Sequence, residues 1–212
     1  MTEVESKRSL PLWRELPILI VVAVGVAILV RAFVLQTFYI PSQSMEHTLE
    51  INDRVLVNKL VYDFRSPERG EVLVFVAPRS WRGSPAETDF IKRVIAVGGD
   101  RVVCCDKQHR LEVNGVPLDE SYIYTNGDGV PDEASNGPFD VVVPQGRLWV
   151  MGDHRSQSGD SRVHYLQTKN AKASTIPEGA VVGKAFAVFW PFDRADWLSV
   201  PPTYEPVPAS PQ

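Results

Sequence analysis

The chain is poor in the residues that build metal sites. Its 212 residues include two cysteines and four histidines. The histidines, His47, His109, His154 and His164, stand far apart, and no Cys-x-x-Cys pair accompanies them. This spacing does not fit a structural zinc site, so we expect no metal.

Clusters of basic residues are missing as well. Lysine and arginine number 22 against 26 aspartates and glutamates, which gives a formal net charge of −4. Without a basic stripe or basic residues interleaved with aromatic ones, a nucleic-acid-binding protein is excluded. Hydrophobic residues make up 44% of the chain, enough for a packed core and too many for a disordered protein.

The two cysteines, Cys104 and Cys105, are neighbours. Adjacent cysteines can close only a strained ring, so a redox pair would be costly. The sequence therefore favours two strand residues whose side chains face opposite ways.

One long hydrophobic run stands near the N-terminus. Residues 18–30 are all apolar apart from Gly25, and the run continues past Arg31 to residue 35. Residues 16–35 are long enough to cross a bilayer as a helix. A cleavable signal peptide is disfavoured, because the run is long and no small-x-small cleavage site follows it.

Flanking charges set the expected orientation. Lys7, Arg8 and Arg14 precede the run, and the positive-inside tendency keeps such a flank in the cytoplasm. The sequence thus predicts a single-pass type II membrane protein of the cell membrane, with residues 1–15 cytoplasmic and residues 36–198 extracytoplasmic.

The extracytoplasmic part has the pattern of short strands. Asn114-Gly115 is a strong hairpin signal, and about 104–150 is expected to be a hairpin sub-region. We predict a mainly β fold of antiparallel curled sheets. Residues 199–212 contain five prolines and are predicted to be disordered. The predicted strands cover residues 54–60, 71–77, 91–97, 111–118, 139–143, 147–151 and 185–190.

A polar segment at residues 125–133, TNGDGVPDE, faintly resembles a calcium-binding loop. The glutamate that an EF-hand places at its twelfth position is missing. A solvated turn is the favoured interpretation, because Asn-Gly and Asp-Gly form turns readily.

A serine–lysine pair is the chemistry that the residues favour. Ser44 follows the hydrophobic run closely, and Lys92 begins an apolar strand. Burial lowers the pKa of a lysine, and a neutral amine accepts a proton from a serine hydroxyl. His47 and His154 are alternative bases, but neither belongs to a recognisable motif with an orienting carboxylate.

Four segments, in order, resemble the conserved boxes of bacterial type I signal peptidases, also called leader peptidases. They are IPSQSMEHTL, INDRVLVNKLVYDFRSPERGEVLVF, FIKRVIAVGGD and MGDHRSQSGDSR, and GKAFAVFWP closes the match. Four ordered boxes are a specific signal where one would not be. The chain departs from the family pattern at His154, where Asn is frequent, at Gly159, where Ala is common, and at Phe90, where Tyr is frequent.

The resemblance implies roles for individual residues. Ser44 would be the nucleophile and Lys92 the general base. The Ser42 hydroxyl, with the backbone N–H of Ser44, would form the oxyanion hole. Ser158 would hold the lysine amine by a hydrogen bond.

Behind the site, the resemblance implies a structural ion pair between Asp160 and Arg162. It also implies two small apolar pockets that accept only small side chains such as alanine. The residues that would line these pockets are Phe38, Ile40, Met45, Leu49, Val74 and Ile91.

The implied protein is a membrane-bound serine endopeptidase that removes N-terminal signal peptides from exported pre-proteins through an acyl-enzyme. It would share its catalytic fold with the SOS-repressor proteases, need no cofactor, act as a monomer and contact the lipid bilayer. Two alternatives remain open: a self-cleaving repressor, which would need a helix-turn-helix, and a non-enzymatic membrane-anchored β module that binds envelope partners.

Overall fold

The computed structural model describes residues 12–210. The described helices are α1 (Leu12–Phe33), α2 (Val61–Phe64) and α3 (Ser161–Thr168). The described strands are β1 (Leu35–Tyr39), β2 (Arg54–Asn58), β3 (Val72–Val76), β4 (Asp89–Ala96), β5 (Arg101–Cys104), β6 (Leu111–Val113), β7 (Val116–Pro117), β8 (Phe139–Val142), β9 (Arg147–Met151), β10 (Ile176–Pro177), β11 (Val181–Trp190) and β12 (Asp196–Trp197).

Two antiparallel sheets build the described part of the chain. The larger has the order β1-β2-β11-β3-β4-β9-β10, with β12 paired to β11. The smaller has the order β7-β6-β5-β8. This confirms the predicted mainly β, antiparallel class. Strands β6, β7 and β8 of the smaller sheet lie within the predicted hairpin sub-region, whereas β9, at its end, belongs to the larger sheet.

Strand β4 lies at the centre of the packing because both of its faces are covered. Ile95 packs with Trp149 of β9 and Val102 of the smaller sheet. Its neighbour Val94 points the other way and packs with Phe75. Since successive side chains of a strand face opposite sides, an apolar run without alternation is what two covered faces require.

All seven predicted strand segments lie on observed strands, and the Asn114-Gly115 hairpin is confirmed. Both turn residues have positive φ, 53° and 80°, and Val113 pairs with Val116 across the turn. These φ values suit Asn and Gly, the residues of a two-residue hairpin loop.

The boundary between the N-terminal helix and the first strand differs from the prediction. Helix α1 ends at Phe33 and β1 begins at Leu35, so residue 35 belongs to the sheet rather than to the predicted run. The helix is 22 residues long and contains Pro17, and its described apolar side chains, such as Ile20 and Val24, are exposed. Within the described residues, none of the helices meets the length and hydropathy required of a membrane span. Most of the predicted cytoplasmic segment, residues 1–11, lies outside the described residues.

The predicted disorder of the C-terminal segment is wrong for residues 199–210. Tyr204 and Val207 are buried in the core between the two sheets. Arg69 and Asn114 donate hydrogen bonds to the carbonyl of Pro208. Prolines reduce the conformational freedom of the unfolded chain, so less entropy is lost when these contacts fix the segment. Residues 211–212 lie outside the described range.

The interpretation of the cysteine pair is also corrected. Cys104 and Cys105 are joined by a disulfide. Cys104 is the last residue of β5 and is buried, whereas Cys105 follows the strand and is half-buried. Strand alternation therefore does not apply to the pair.

Candidate active site

Ser44 lies in a short 3-10 helix, Gln43–Met45, that follows β1. Its side chain is buried. Met45 and Leu49 are fully buried in a cluster with Val55 and Val57 of β2, which anchors the helix to the sheet. Ser44, the candidate nucleophile, is thus fixed in position by the packing of its helix against the sheet.

Lys92 lies on β4 and meets Ser44 across the site. Its Nζ is 2.6 Å from Ser44 Oγ and donates a hydrogen bond to the carbonyl of Ile91 at 3.0 Å. Burial lowers the pKa of Lys92 to about 8, although the charges of Asp160 and Asp153 oppose this shift. A lysine with this pKa is partly neutral near neutral pH and can act as a base.

Ser42 lies beside the pair and Ser158 does not contact the amine as expected. Ser42 Oγ is 3.4 Å from Ser44 Oγ, on the solvent side of the site. Ser158 Oγ is buried and has no hydrogen-bond partner among the described residues. Because the amine of Lys92 is directed at Ser44 and Ile91, the expected hydrogen bond from Ser158 is absent here.

Asp160 organises the backbone behind the pair. It is fully buried, caps α3 by accepting from the N–H groups of Arg162 and Val163, and accepts from the N–H of Gly152 at 3.1 Å. Arg162 Nε lies 3.4 Å from its carboxylate, an electrostatic contact without hydrogen-bond geometry. The predicted ion pair is therefore present, while the hydrogen bonds of Asp160 go to backbone.

Arg93 and Asp153 form a buried pair that our sequence analysis did not assign. Arg93 makes two hydrogen bonds to the Asp153 carboxylate, at 2.9 and 2.6 Å. Thr48 donates to the same carboxylate. Through Thr48, the pair connects β4 to residues 43–49, which we call the nucleophile segment because they contain Ser44. Arg93 and Asp153 lie in the matched boxes, next to Lys92 and Gly152. This position was the sequence signal by which the pair could have been predicted.

A cleft of about 600 Å³ opens beside Ser44 and Lys92. Of the six predicted lining residues, Met45 and Leu49 do not reach it, because they are fully buried beneath it. The other four border it: Phe38, Ile40, Val74 and Ile91. Lining residues that sequence reasoning missed include Trp81, Ala86, Glu87, Asp89 and Gln157.

The cleft runs between two strand edges. Strand β1 pairs only with β2. Strand β4 pairs with β3 over residues 89–93, and its pairing with β9 begins at Arg93. The edge of residues 89–92 that faces away from β3 is therefore unpaired by strands of the described chain, next to Lys92.

Comparison with known proteins identifies the family. Residues 13–190 match the family model described as "Signal peptidase, peptidase S26". The chain belongs to the signal peptidase family. The probable signal peptidase I of Mycobacterium leprae is 38% identical over 90% of this chain and 80% of its own length. The probable signal peptidase I-2 of a Synechocystis strain is 39% identical, over 99% and 89%. Signal peptidase IB of Staphylococcus aureus is 36% identical, over 82% and 88%.

Membership of the signal peptidase family makes the chain an enzyme, a serine endopeptidase. This excludes the alternative of a non-enzymatic β module. The repressor alternative fails too, because one continuous helix, α1, occupies the place where a helix-turn-helix would be needed.

The two histidines considered as bases do not contact the Ser44 hydroxyl. His47 is exposed and borders a different cavity, with Arg194 and Trp197. The ring of His154 is directed at Glu46. Among the described residues, the side-chain partners of Ser44 Oγ are Lys92 and Ser42.

Proposed function

We propose that this member of the signal peptidase family removes N-terminal signal peptides from exported pre-proteins, with Ser44 as nucleophile and Lys92 as general base. The observation that carries the proposal is the 2.6 Å contact between Lys92 Nζ and Ser44 Oγ, in a buried site where the pKa of Lys92 is lowered to about 8. A serine nucleophile needs such a base within hydrogen-bond reach.

In the first half of the reaction, the neutral Lys92 amine accepts the proton of Ser44 as Oγ attacks the scissile carbonyl. The tetrahedral intermediate places negative charge on the carbonyl oxygen. Ser42, whose Oγ lies 3.4 Å from Ser44 Oγ, is placed to donate to that oxygen together with the backbone N–H of Ser44. Donors aimed at a developing oxyanion make a large contribution to catalysis.

In the second half, the Lys92 ammonium gives its proton to the leaving amine, which departs as the new N-terminus. The product is an ester between the signal peptide and Ser44. Neutral Lys92 then takes a proton from water, which attacks the ester. Lys92 returns this proton to Ser44 Oγ as the ester bond breaks and the signal peptide leaves. The reaction needs no cofactor, because each proton passes through Lys92.

The substrate binds as an extended strand between the edges of β1 and β4. Backbone groups at the unpaired edge of residues 89–92 offer main-chain hydrogen bonds, as in other cases of strand addition. Ile40 and Ile91, with Phe38 and Val74, line the cleft near Ser44. We expect this lining to favour small side chains at the first and third positions before the cut.

The enzyme works at the outer face of the cell membrane, as a monomer anchored by its N-terminal segment. The support is the apolar sequence of residues 18–30, with cations before it at Lys7, Arg8 and Arg14. The anchor leads directly into β1, a wall of the cleft. Substrates whose own apolar segment lies in the bilayer would meet the site at the membrane surface.

The proposal is tested by replacing each reacting group. Ser44→Ala removes the nucleophile, and Lys92→Arg keeps a cation that cannot become neutral. Both purified variants should fold and lose cleavage of a signal-peptide substrate, by about 10²–10⁴-fold or more for a lost general base.

Lys107→Arg, at an exposed lysine, is the matched control and should keep full activity. Substantial turnover by Lys92→Arg would refute the lysine mechanism. Turnover by Ser44→Ala would refute Ser44 as the nucleophile.

A further inference from the structure

His154 is a buried histidine that the mechanism above does not use. Its side chain is 8% exposed, and it stands at the start of the 3-10 helix Arg155–Gln157, which leads to Ser158 and Asp160. Some of its contacts are with the nucleophile segment.

Two contacts join His154 to that segment. The backbone N–H of His154 donates to the carbonyl of Ser44 at 3.3 Å. The ring Nδ1 lies 2.8 Å from the carboxylate of Glu46, two residues after Ser44. Because a carboxylate only accepts, Nδ1 carries the proton of this hydrogen bond.

The opposite side of the ring is held by the turn that precedes this loop. The ring stacks on Tyr124, with centroids 3.8 Å apart. Nε2 lies 3.9 Å from Asp132, whose carboxylate accepts from the N–H of Ser156. The N–H of Tyr124 in turn donates to the carbonyl of Asp153. The titratable groups around the ring are thus Glu46, Asp132 and Tyr124.

We propose that His154 is a positioning residue that fixes Glu46, and through it the Ser44 backbone, so that Ser44 Oγ stays within reach of Lys92 Nζ. This inference rests on the proposed Ser44–Lys92 mechanism. The ring stacks on Tyr124 and is hydrogen-bonded to Glu46, so it links the nucleophile segment to the turn that carries Tyr124. A displacement of about 1 Å at a reacting group can cost about 10²-fold in rate.

The test uses the full-length enzyme and a signal-peptide substrate, with kcat and KM measured separately. His154→Ala removes the ring, and we expect kcat to fall about tenfold while KM changes less than about twofold. His154→Asn should recover most of kcat, because its amide N–H can donate to Glu46 from the place of Nδ1. A role in stability alone would lower the unfolding temperature without this split between kcat and KM.

A double-mutant cycle makes the outcome specific. Glu46→Ala removes the acceptor and should lower kcat on its own, and adding His154→Ala to it should cost little more, because both changes break one contact. His109→Asn, in an exposed turn with positive φ that Asn tolerates, is the control and should behave as the parent enzyme.

Additive losses in kcat, or a His154→Ala enzyme with unchanged kcat, would overturn the proposal. If His154→Ala fails to fold, Glu46→Ala decides by itself: an unchanged kcat would overturn the proposal. If the His154 proposal fails while Ser44→Ala and Lys92→Arg remain inactive, the proposed function still stands. If those two variants are active, the Ser44–Lys92 mechanism on which the His154 proposal rests is refuted.

Discussion

At the scale of single residues, the site depends on a lysine that burial makes less basic. Two carboxylates, Asp160 and Asp153, stabilise its ammonium form, yet desolvation prevails and the pKa of Lys92 falls to about 8. The same carboxylates organise the surrounding backbone, Asp160 at Gly152 and Asp153 at Arg93. The two carboxylates thus hold the surrounding backbone in place, while burial keeps the pKa of Lys92 low enough for the neutral amine that the proposed mechanism needs.

The rate should follow the neutral fraction of Lys92. Below pH 8 the ammonium dominates, so kcat/KM should rise about tenfold per pH unit and level off above about pH 8 to 9. Peptide cleavage between pH 5.5 and 9.5 measures this, with folding checked at each pH. A profile that falls across this range would exclude a lysine base.

For an Asp160→Asn variant, the direction in which the pKa of Lys92 changes can be predicted. The Asp160 charge raises the pKa of Lys92, so its removal should shift the rise in kcat/KM to lower pH. Because Asp160 also caps α3, the variant must first be shown to fold. A shift to higher pH would contradict this electrostatic account.

Sequence reasoning reached some residues of the site and missed others for a physical reason. Ser44 and Lys92 are separated by 48 residues, and the structure brings them within 2.6 Å. Residue chemistry suggested this pair and the family resemblance assigned Ser158 to the lysine amine, but neither reports side-chain direction. Hence Ser158 was expected on the lysine amine and is instead unpaired among the described residues, while the pair of Arg93 and Asp153 was not foreseen.

At the scale of elements, the site depends on a close approach between the end of β9 and the nucleophile helix. Gly152 follows β9, and a Cβ there would lie 2.3 Å from the carbonyl of Ser44 and 2.4 Å from Ser158 Oγ. Contacts this short do not occur, so one of the two backbones would have to move. The missing side chain at Gly152 lets the two elements meet.

Gly152→Ala should therefore lower activity by at least about tenfold and destabilise the fold by about 1–3 kcal/mol, the usual cost of overpacking. Cleavage assays and urea denaturation measure the two effects. Gly179→Ala is the control, because nothing lies within 4 Å of a Cβ at that position. An active Gly152→Ala enzyme of unchanged stability would show that the elements separate easily.

Elements with a strong hydrophobic signal in the sequence could be predicted, and elements with a weak one could not. Strands β3, β4 and β9 are apolar runs with both faces covered, so they stand out in the sequence. Strand β1 follows the apolar helix α1 after one residue, which hides its start. Helix α3 is mostly polar, and its signal is the N-cap Asp160 rather than a hydrophobic stripe.

At the scale of the whole molecule, the N-terminal helix and the catalytic cleft are parts of one continuous path of the chain. Only Val34 separates α1 from β1, and its carbonyl accepts from the N–H of Lys59 at the end of the sheet. Strand β1 then carries Phe38 to the cleft, and Ile40 follows it. An anchor in this position would hold the cleft within a few residues of the bilayer surface.

Deleting residues 1–33 tests this arrangement, because it removes α1 and leaves β1 and the contact between Val34 and Lys59 intact. If α1 is the proposed anchor, the truncated enzyme should no longer float with phospholipid vesicles. Its kcat on a short soluble peptide should stay within about threefold of the full-length enzyme, because the groups that set the reaction lie outside α1. Its cleavage of a pre-protein inserted in the same vesicles should fall by at least about tenfold, since tethering raises the effective concentration of enzyme and substrate. Flotation and the two cleavage assays, done in parallel with the full-length chain, measure all three effects. A truncated enzyme that floats with vesicles and cleaves the inserted pre-protein at the full-length rate would refute the anchor, while leaving the chemistry of Ser44 and Lys92 untouched.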